Sequence, residues 1–265
     1  MTPDSPRYFI ASRRGILPAG GTVAFRFYAE LNDHLAPRLR QRTFDHPLSG
    51  RPAVKDVIEA LGVPHTEVEL ILVDGASVGF DEPLHDGERI SVYPMFETLD
   101  VAPLLRLRPR PPRTTRFVLD GHLGRLARHL RMLGFDTRYA QDCDDAALVQ
   151  ASIDERRILL TRDRGLLKRS AVTHGAFVYA TAPREQVLEV VERFDLRRSM
   201  RPFRRCTRCN GRLLRASKTS LAGLVDAPLL ARHRAFKRCR DCGQVYWPGT
   251  HVEHMRRFVE ELGAA

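Results

Sequence analysis

Residues 116–136 read RFVLDGHLGRLARHLRMLGFD and residues 156–167 read RRILLTRDRGLL. In each, a short apolar run ends in an aspartate: Phe117, Val118 and Leu119 lead into Asp120, and Ile158, Leu159 and Leu160 lead through Thr161 and Arg162 into Asp163. Such runs suit buried strands, and the acid marks where a strand stops and a helix starts. In an open parallel α/β sheet the carboxyl ends of the strands line the edge where ligands bind. Asp120 and Asp163 are thereby expected on that edge. Between them, Asp144 and Asp145 precede Ala146, Ala147, Leu148, Val149 and Ala151, so one of the two opens a helix. Carboxylates that converge repel each other unless a hard cation such as Mg²⁺ or Mn²⁺ lies among them. Phosphodiester hydrolysis is the chemistry such a site supports, because the metal activates water and offsets charge on phosphate oxygens. A plainer role is also open to each acid, since an aspartate at a helix start caps free N–H groups for about 1 kcal/mol.

The helix after Asp120 has Leu123, Leu126, Ala127, Leu130 and Leu133 on one face, with Arg125, Arg128 and Arg131 outside it at spacings of three. Its first turn borders the expected metal. Arg125, Arg128 and Arg131, with Arg162, form the candidate nucleic-acid-binding set, and a solvated arginine stripe is the alternative. Beyond lie a strand at DTRYA, the helix of DDAALVQA, a short helix at DRGLLKRS, a strand at GAFVYAT and a helix at APREQVLEVVERFDL with Pro183 in its first turn. The pattern over 116–196 is βαβαβαβα, which implies a parallel sheet with right-handed crossovers. No GxGxxG or GxxxxGK[ST] loop occurs, which disfavours a bound nucleotide cofactor.

Cys206 and Cys209 in RCTRCNG and Cys239 and Cys242 in RCRDCGQVYW make two CxxC pairs. Read together they form a four-thiolate structural zinc site, closed to substrate because no coordination position stays open. Cys143, beside the acids, reads as an incidental small buried residue. Tyr246 and Trp247 are expected to pack the ribbon against the sheet, with stacking on an unpaired base as the alternative. His251 and His254 read as a surface pair.

Charge divides the chain. Residues 1–100 hold 10 Lys and Arg against 15 Asp and Glu, whereas residues 101–265 hold 33 against 17. All the positive excess therefore accompanies the acids and cysteines, and arginine supplies most of it, which points to a polyanionic partner such as RNA. No apolar stretch approaches the roughly 20 residues needed to cross a bilayer. The segment MTPDSPRYFIASRRG lacks the apolar core of a secretory signal, so a cytoplasmic location without a membrane partner is expected.

Residues 21–96 form a smaller α+β unit. GTVAFRFYAEL alternates as a half-buried strand does, PAVKDVIEALGV carries Val54, Val57, Ile58 and Leu61 on one helical face, and VELILVDG and LHDGERISVYPMF are strands bounded by Asp-Gly turns. This order is similar to the ubiquitin-like β-grasp fold, particularly the small sulfur-carrier proteins. Those carriers end in an activated Gly-Gly tail, whereas this chain continues through ETLDVAPLL, so the resemblance implies an interaction or scaffold module with a protein partner. Four prolines and four arginines in DVAPLLRLRPRPPRTT read as a semi-rigid basic linker.

LDGHLGRLARHLRMLGFDT, DDAALVQA, RILLTRDRGLL, the two CxxC pairs and VYWPGTH together resemble the Mut-seven C-terminal RNase domain family, a divergent PIN-like nuclease fold with an attached zinc ribbon. That resemblance covers residues 116–255 and implies a metal-dependent ribonuclease whose acids are Asp120, Asp144 and Asp163, the middle one shared in the reading with Asp145. A further acid that many PIN nucleases carry just after the third has no counterpart here, where Arg164 and Gly165 follow Asp163. The expected layout is a β-grasp domain over 1–99, a Pro/Arg linker over 100–115, a PIN-like core over 116–200 and a four-cysteine zinc ribbon with a C-terminal helix over 201–265. The rival reading is a noncatalytic RNA-binding or ribosome-associated adaptor stabilised by structural zinc. A tie to sulfur-transfer chemistry through the N-terminal domain is a third.

Overall fold

The computed structural model describes residues 21–94, 107 and 115–264, with the backbone alone at 250, 251, 263 and 264. The expected linker over 100–115 lies outside the described residues apart from Leu107 and Thr115.

The N-terminal unit runs β1 (Thr22–Phe27), β2 (Phe44–Pro47), α1 (Val54–Ala60), β3 (Leu70–Val73), β4 (Ala76–Ser77) and β5 (Arg89–Tyr93). Its sheet has the order β2-β1-β5-β3-β4, with β1 and β5 parallel and the other pairs antiparallel. This is the ubiquitin-like arrangement. Asp74 and Gly75 both take positive φ, 47° and 87°, which is the geometry a two-residue turn between β3 and β4 needs. Phe25, Phe27, Ile58, Ile71 and Ile90 are buried in its core, as the alternation along β1 and the helical spacing along α1 require.

The second unit runs β6 (Arg116–Leu119), α2 (Gly124–Met132), β7 (Asp136–Tyr139), α3 (Asp145–Asp154), β8 (Ile158–Thr161), α4 (Arg164–Leu167), β9 (Gly175–Phe177) and α5 (Pro183–Arg193). All its strand pairs are parallel and the order is β7-β6-β8-β9. Both faces of the sheet are covered, so its central strands β6 and β8 are largely apolar, whereas edge strand β7, DTRY, is polar. Phe117, Leu119 and Leu160 face α2 and α5 in one cluster, whereas Val118 and Leu159 face α3 and α4 in the other. Cys143 packs at the margin of the second cluster. Gly134 ends α2 at φ 101°, with Phe135 N–H bonding Leu130 O and Gly134 N–H bonding Arg131 O, the paired bonds of a Schellman stop.

The third unit is an antiparallel sheet of β10 (Leu213–Ala216), β11 (Phe236–Cys239) and β12 (Val245–Tyr246), with α6 (Ala227–Arg232) inserted before β11. It is followed by α7 (Thr250–Ala264), which returns Phe258, Val259 and Leu262 to the α2–α5 face of the parallel sheet.

The N-terminal unit docks on the β9 edge, a contact between residues far apart in the chain. Glu67, its side chain 0% exposed, accepts the Phe177 backbone N–H at 2.7 Å, lies 2.7 Å from His34 Nε2 and pairs with Arg193 of α5. The Tyr179 hydroxyl lies 2.9 Å from the same His34 nitrogen, His65 Nε2 donates to Val172 O, and Lys168 Nζ donates to Glu59 O. Glu67 thus supplies an acceptor to an N–H of edge strand β9.

Candidate active site and metal centre

From β6 the chain crosses to β7 on one side and then to β8 on the other, so the strand order reverses at the β6–β8 junction. In open α/β sheets the crevice at that reversal is where ligands bind. Asp120 follows β6 and Asp163 follows β8, one on each side of it. Thr161, fully buried at the end of β8, joins them: its hydroxyl donates to Asp120 Oδ2 at 2.7 Å and accepts the Asp163 N–H at 2.9 Å. Thr161 entered the sequence reading only as a spacer before Asp163. The signal available was its place as the last residue of an otherwise aliphatic strand, where a buried hydroxyl needs a partner.

Asp144 stands at the N-cap of α3, reached from the end of β7, so it belongs to the same edge. Asp145 is the first helical residue and pairs with Arg169. Each of the three edge acids uses Oδ1 as a cap: Asp120 for His122 N–H at 3.0 Å, Asp144 for Ala147 N–H at 2.7 Å and Asp163 for Gly165 N–H at 2.7 Å. The second oxygens of Asp144 and Asp163 have no hydrogen-bond partner among the described residues. Among those residues the four cysteines, whose sulfurs all lie within 4.8 Å of one another, form the one metal-sized group of three or more potential ligands, and the three carboxylates do not form such a group.

The loop after β6 is held to the end of β7 by Tyr139, whose hydroxyl donates to Gly121 O at 2.9 Å. Gly124 permits this approach, because a Cβ there would lie 2.6 Å from the Tyr139 hydroxyl oxygen.

The four candidate arginines divide into two kinds. Arg125 and Arg128 are exposed on α2. They line an open groove of about 980 Å³ that runs from Gly121 and His122 along α2 to Thr207 and Arg208 of the ribbon. Arg131 is buried, donating to Thr137 O, Thr207 O and Arg208 O. It ties α2 to β7 and to the first cysteine turn. Arg162 donates to Val178 O, Tyr179 O and Ala180 O beyond β9.

The cysteines meet as their spacing predicts. Cys206 and Cys242 sulfurs are 3.6 Å apart, Cys209 and Cys239 sulfurs 3.4 Å, and all four lie within 4.8 Å of one another. Four sulfurs bound at about 2.3 Å to one tetrahedral ion stand about 3.8 Å apart, so the cluster is sized for a single cation. Each pair is closed by a backbone bond onto its first cysteine, Asn210 N–H to Cys206 O and Gly243 N–H to Cys239 O, with Asn210 and Gly243 both left-handed at φ 72° and 73°. Burial pushes the Cys206 thiol up, but hydrogen bonds from the Tyr246 hydroxyl and the Cys209 and Arg208 backbones outweigh it and bring the pKa to about 7. Burial and the neighbouring thiols push Cys209 up to about 12. A shared cation would allow all four to be thiolates at neutral pH.

Asp136, at the start of β7, joins this cluster to the sheet. It accepts from Asn210 Nδ2 at 2.8 Å, Arg157 at 2.7 Å and Arg205 at 3.0 Å. Burial acts to raise its carboxyl, and those donors outweigh it to hold the pKa below the usual value. His254 is exposed, and the side chain of His251 lies outside the described residues.

Residues 115–259, more than half of the chain, match the family described as the Mut7-C RNAse domain, and residues 20–100 match the Mut7-C ubiquitin family. Among solved structures, SAMP1 from Haloferax volcanii is similar at 18% identity, over 30% of this chain and 100% of that one, with a TM-score of 0.24. No curated protein matches the chain. Among the described residues no helix is long and apolar enough to cross a membrane.

Proposed function

We propose that this chain, which belongs to the Mut7-C RNAse domain family, is a divalent-metal-dependent ribonuclease acting at the edge formed by Asp120, Asp144 and Asp163. The observation that carries this reading is the placement of Asp120 and Asp163 on either side of the β6–β8 reversal, held in register by the Thr161 hydroxyl. Mg²⁺ keeps several waters and takes one or two carboxylates directly, so an ion of this kind does not need all three acids in contact with it. The open second oxygens of Asp144 and Asp163 fit that role. When bound, the ion would supply an activated water and neutralise charge on the phosphate.

The remaining work belongs to the chain. Thr161 fixes the Asp120 carboxylate, Arg125 and Arg128 hold backbone phosphates along the groove, and Arg131 and Arg162 position the loops around them. RNA as substrate follows from the family, since phosphate contacts do not separate RNA from DNA. The four thiolates hold structural Zn²⁺, and clustered reduced cysteines suit the cytoplasm. The β-grasp unit serves as a docked scaffold and as the surface for a protein partner.

Defined end-labelled RNAs incubated with Mn²⁺ test the reading. The wild-type chain is expected to cleave them, and Asp120→Asn to be slowed at least about 100-fold, the upper end of what loss of even an outer-shell partner of a metal ligand costs. Equal cleavage by both proteins would refute it. Absence of cleavage with tight RNA binding would favour the adaptor reading, which draws on the lack of a three-carboxylate cluster among the described residues.

A further inference from the structure

The arginine groove continues into a second cavity. The two share Met132, Thr207 and Met255 as walls. Past these residues the inner cavity, of about 270 Å³, is lined by Phe203, Tyr246, Trp247 and Val252. Its walls come from the end of α2, the segment leading to the first cysteine turn, the strands of the ribbon and α7. The volume is many times the roughly 30 Å³ share of a water and just below the roughly 300 Å³ lower end of drug-sized pockets, so it suits a single flat ring system. Phe203, Tyr246 and Trp247 are only half-buried, so they do not simply fill an interior.

The walls are held in place. Phe203 sits left-handed at φ 58°, with its N–H on Met132 O and its carbonyl accepting Lys237 Nζ at 2.6 Å. The Tyr246 hydroxyl is tied to Cys206 Sγ at 3.0 Å and lies 3.3 Å from Thr207 Oγ1. Aromatic walls over a small polar group match the face and edge of a nucleobase.

Charge selects the occupant. Among the described residues no Asp or Glu lines either cavity, whereas Arg125, Arg128 and Arg208 line the approach and Arg256 borders the pocket, and none of these four has a carboxylate partner among those residues. An apolar peptide side chain would gain nothing from these cations, but a base flanked by phosphates would. We propose that the pocket holds an unpaired nucleobase of a single-stranded RNA whose phosphates run along Arg125, Arg128 and Arg208. The proposal rests on the RNA-directed reading above and is independent of cleavage.

Trp247 is the only tryptophan in the chain, so intrinsic fluorescence reports on the pocket directly. The 265-residue, zinc-loaded chain carrying Asp120→Asn, which keeps the RNA intact, is titrated with an oligouridylate, an RNA duplex and inorganic polyphosphate, with binding followed in parallel by anisotropy or competition. Oligouridylate is expected to quench Trp247 in step with binding, and the duplex and polyphosphate to bind without quenching. Ala235→Phe, at an exposed residue on the pocket wall, is expected to weaken oligouridylate about tenfold while leaving polyphosphate affinity and zinc content unchanged. Arg208→Ala should reduce the salt slope of oligouridylate binding by about 0.7.

Equal quenching by polyphosphate, or RNA binding without quenching, would overturn the assignment. So would a Trp247 response to an amphipathic peptide and none to RNA, which would give the pocket to a protein partner. Cleavage by the wild type without Trp247 quenching would remove this inference alone, and quenching without cleavage would remove only the nuclease reading.

Discussion

Replacing Glu67 by glutamine is expected to destabilise the folded chain by about 3 to 5 kcal/mol, the usual loss when one member of a buried ion pair is removed. The structure gives three reasons. Glu67 is 0% exposed and Arg193 is 13% exposed, so the guanidinium left behind has little access to water. Both carboxylate oxygens are in use, Oε1 by Phe177 N–H and Oε2 by His34 and Arg193. A glutamine amide keeps the shape but turns one of these acceptors into a donor facing donors. Guanidinium unfolding of both proteins measures the difference, and the double variant Glu67→Gln/Arg193→Met should lose less than the sum of the two single losses. The pH profile adds a signature. Burial acts to raise the Glu67 carboxyl, but Arg193, His34 and the Phe177 N–H outweigh it and lower its pKa. A lowered folded pKa contributes stability that is complete above the unfolded value, about 4.3, and is lost as the pH falls through the folded value. The gap between wild type and variant should therefore close on acidification below about pH 4. A gap under about 1 kcal/mol at pH 7, or one that persists unchanged into acid, would refute the reasoning.

Arg131→Met removes three charge-assisted bonds to carbonyls and should lower stability by about 3 kcal/mol, with faster metal transfer to a competing chelator as a second readout. Gly134→Ala places a Cβ 2.2 Å from Arg201 O at a φ of 101° and should cost at least about 2 kcal/mol in a denaturant titration. Thr161→Val keeps the volume but frees Asp120 and Asp163 from their shared hydroxyl, and is expected to slow cleavage about tenfold by loosening the site with little change in RNA affinity. Removing the metal proposed for the four cysteines with a strong chelator should abolish amide protection in β10–β12 while protection in β6 and β8 persists, as hydrogen exchange would show.

Much of this was readable from the amino acids because the signals were local. An apolar run stopping at an aspartate, an Asp-Gly pair between strands and a Cys-x-x-Cys each encode a backbone event within a few residues, and those events occur where expected. Strand β2 escaped notice because it is four residues long and ends in Pro47, which is tolerated at the sheet margin but breaks any strand pattern. Spacing also failed to separate the arginines. Arg125, Arg128 and Arg131 recur every three residues, yet the slow rotation of that spacing around a helix brings the third against the first cysteine turn while the first two stay in water. Which carbonyls it meets depends on residues 76 and 77 positions away. The Glu67 junction was equally hidden, because its partners His34, Phe177 and Arg193 come from three distant segments.

Strand β7 has only four residues, about 10 Å from first to last, yet both ends are anchored. Asp136 grips the first cysteine turn through Asn210, and Tyr139 grips the carbonyl next to Asp120. The strand is in effect a short push-rod between the thiolate cluster and the acidic edge. A fragment truncated before Cys206 would keep every edge aspartate but lose the anchor at the far end of that rod, so trimming the chain to its parallel sheet is a poor way to isolate an intact acidic edge.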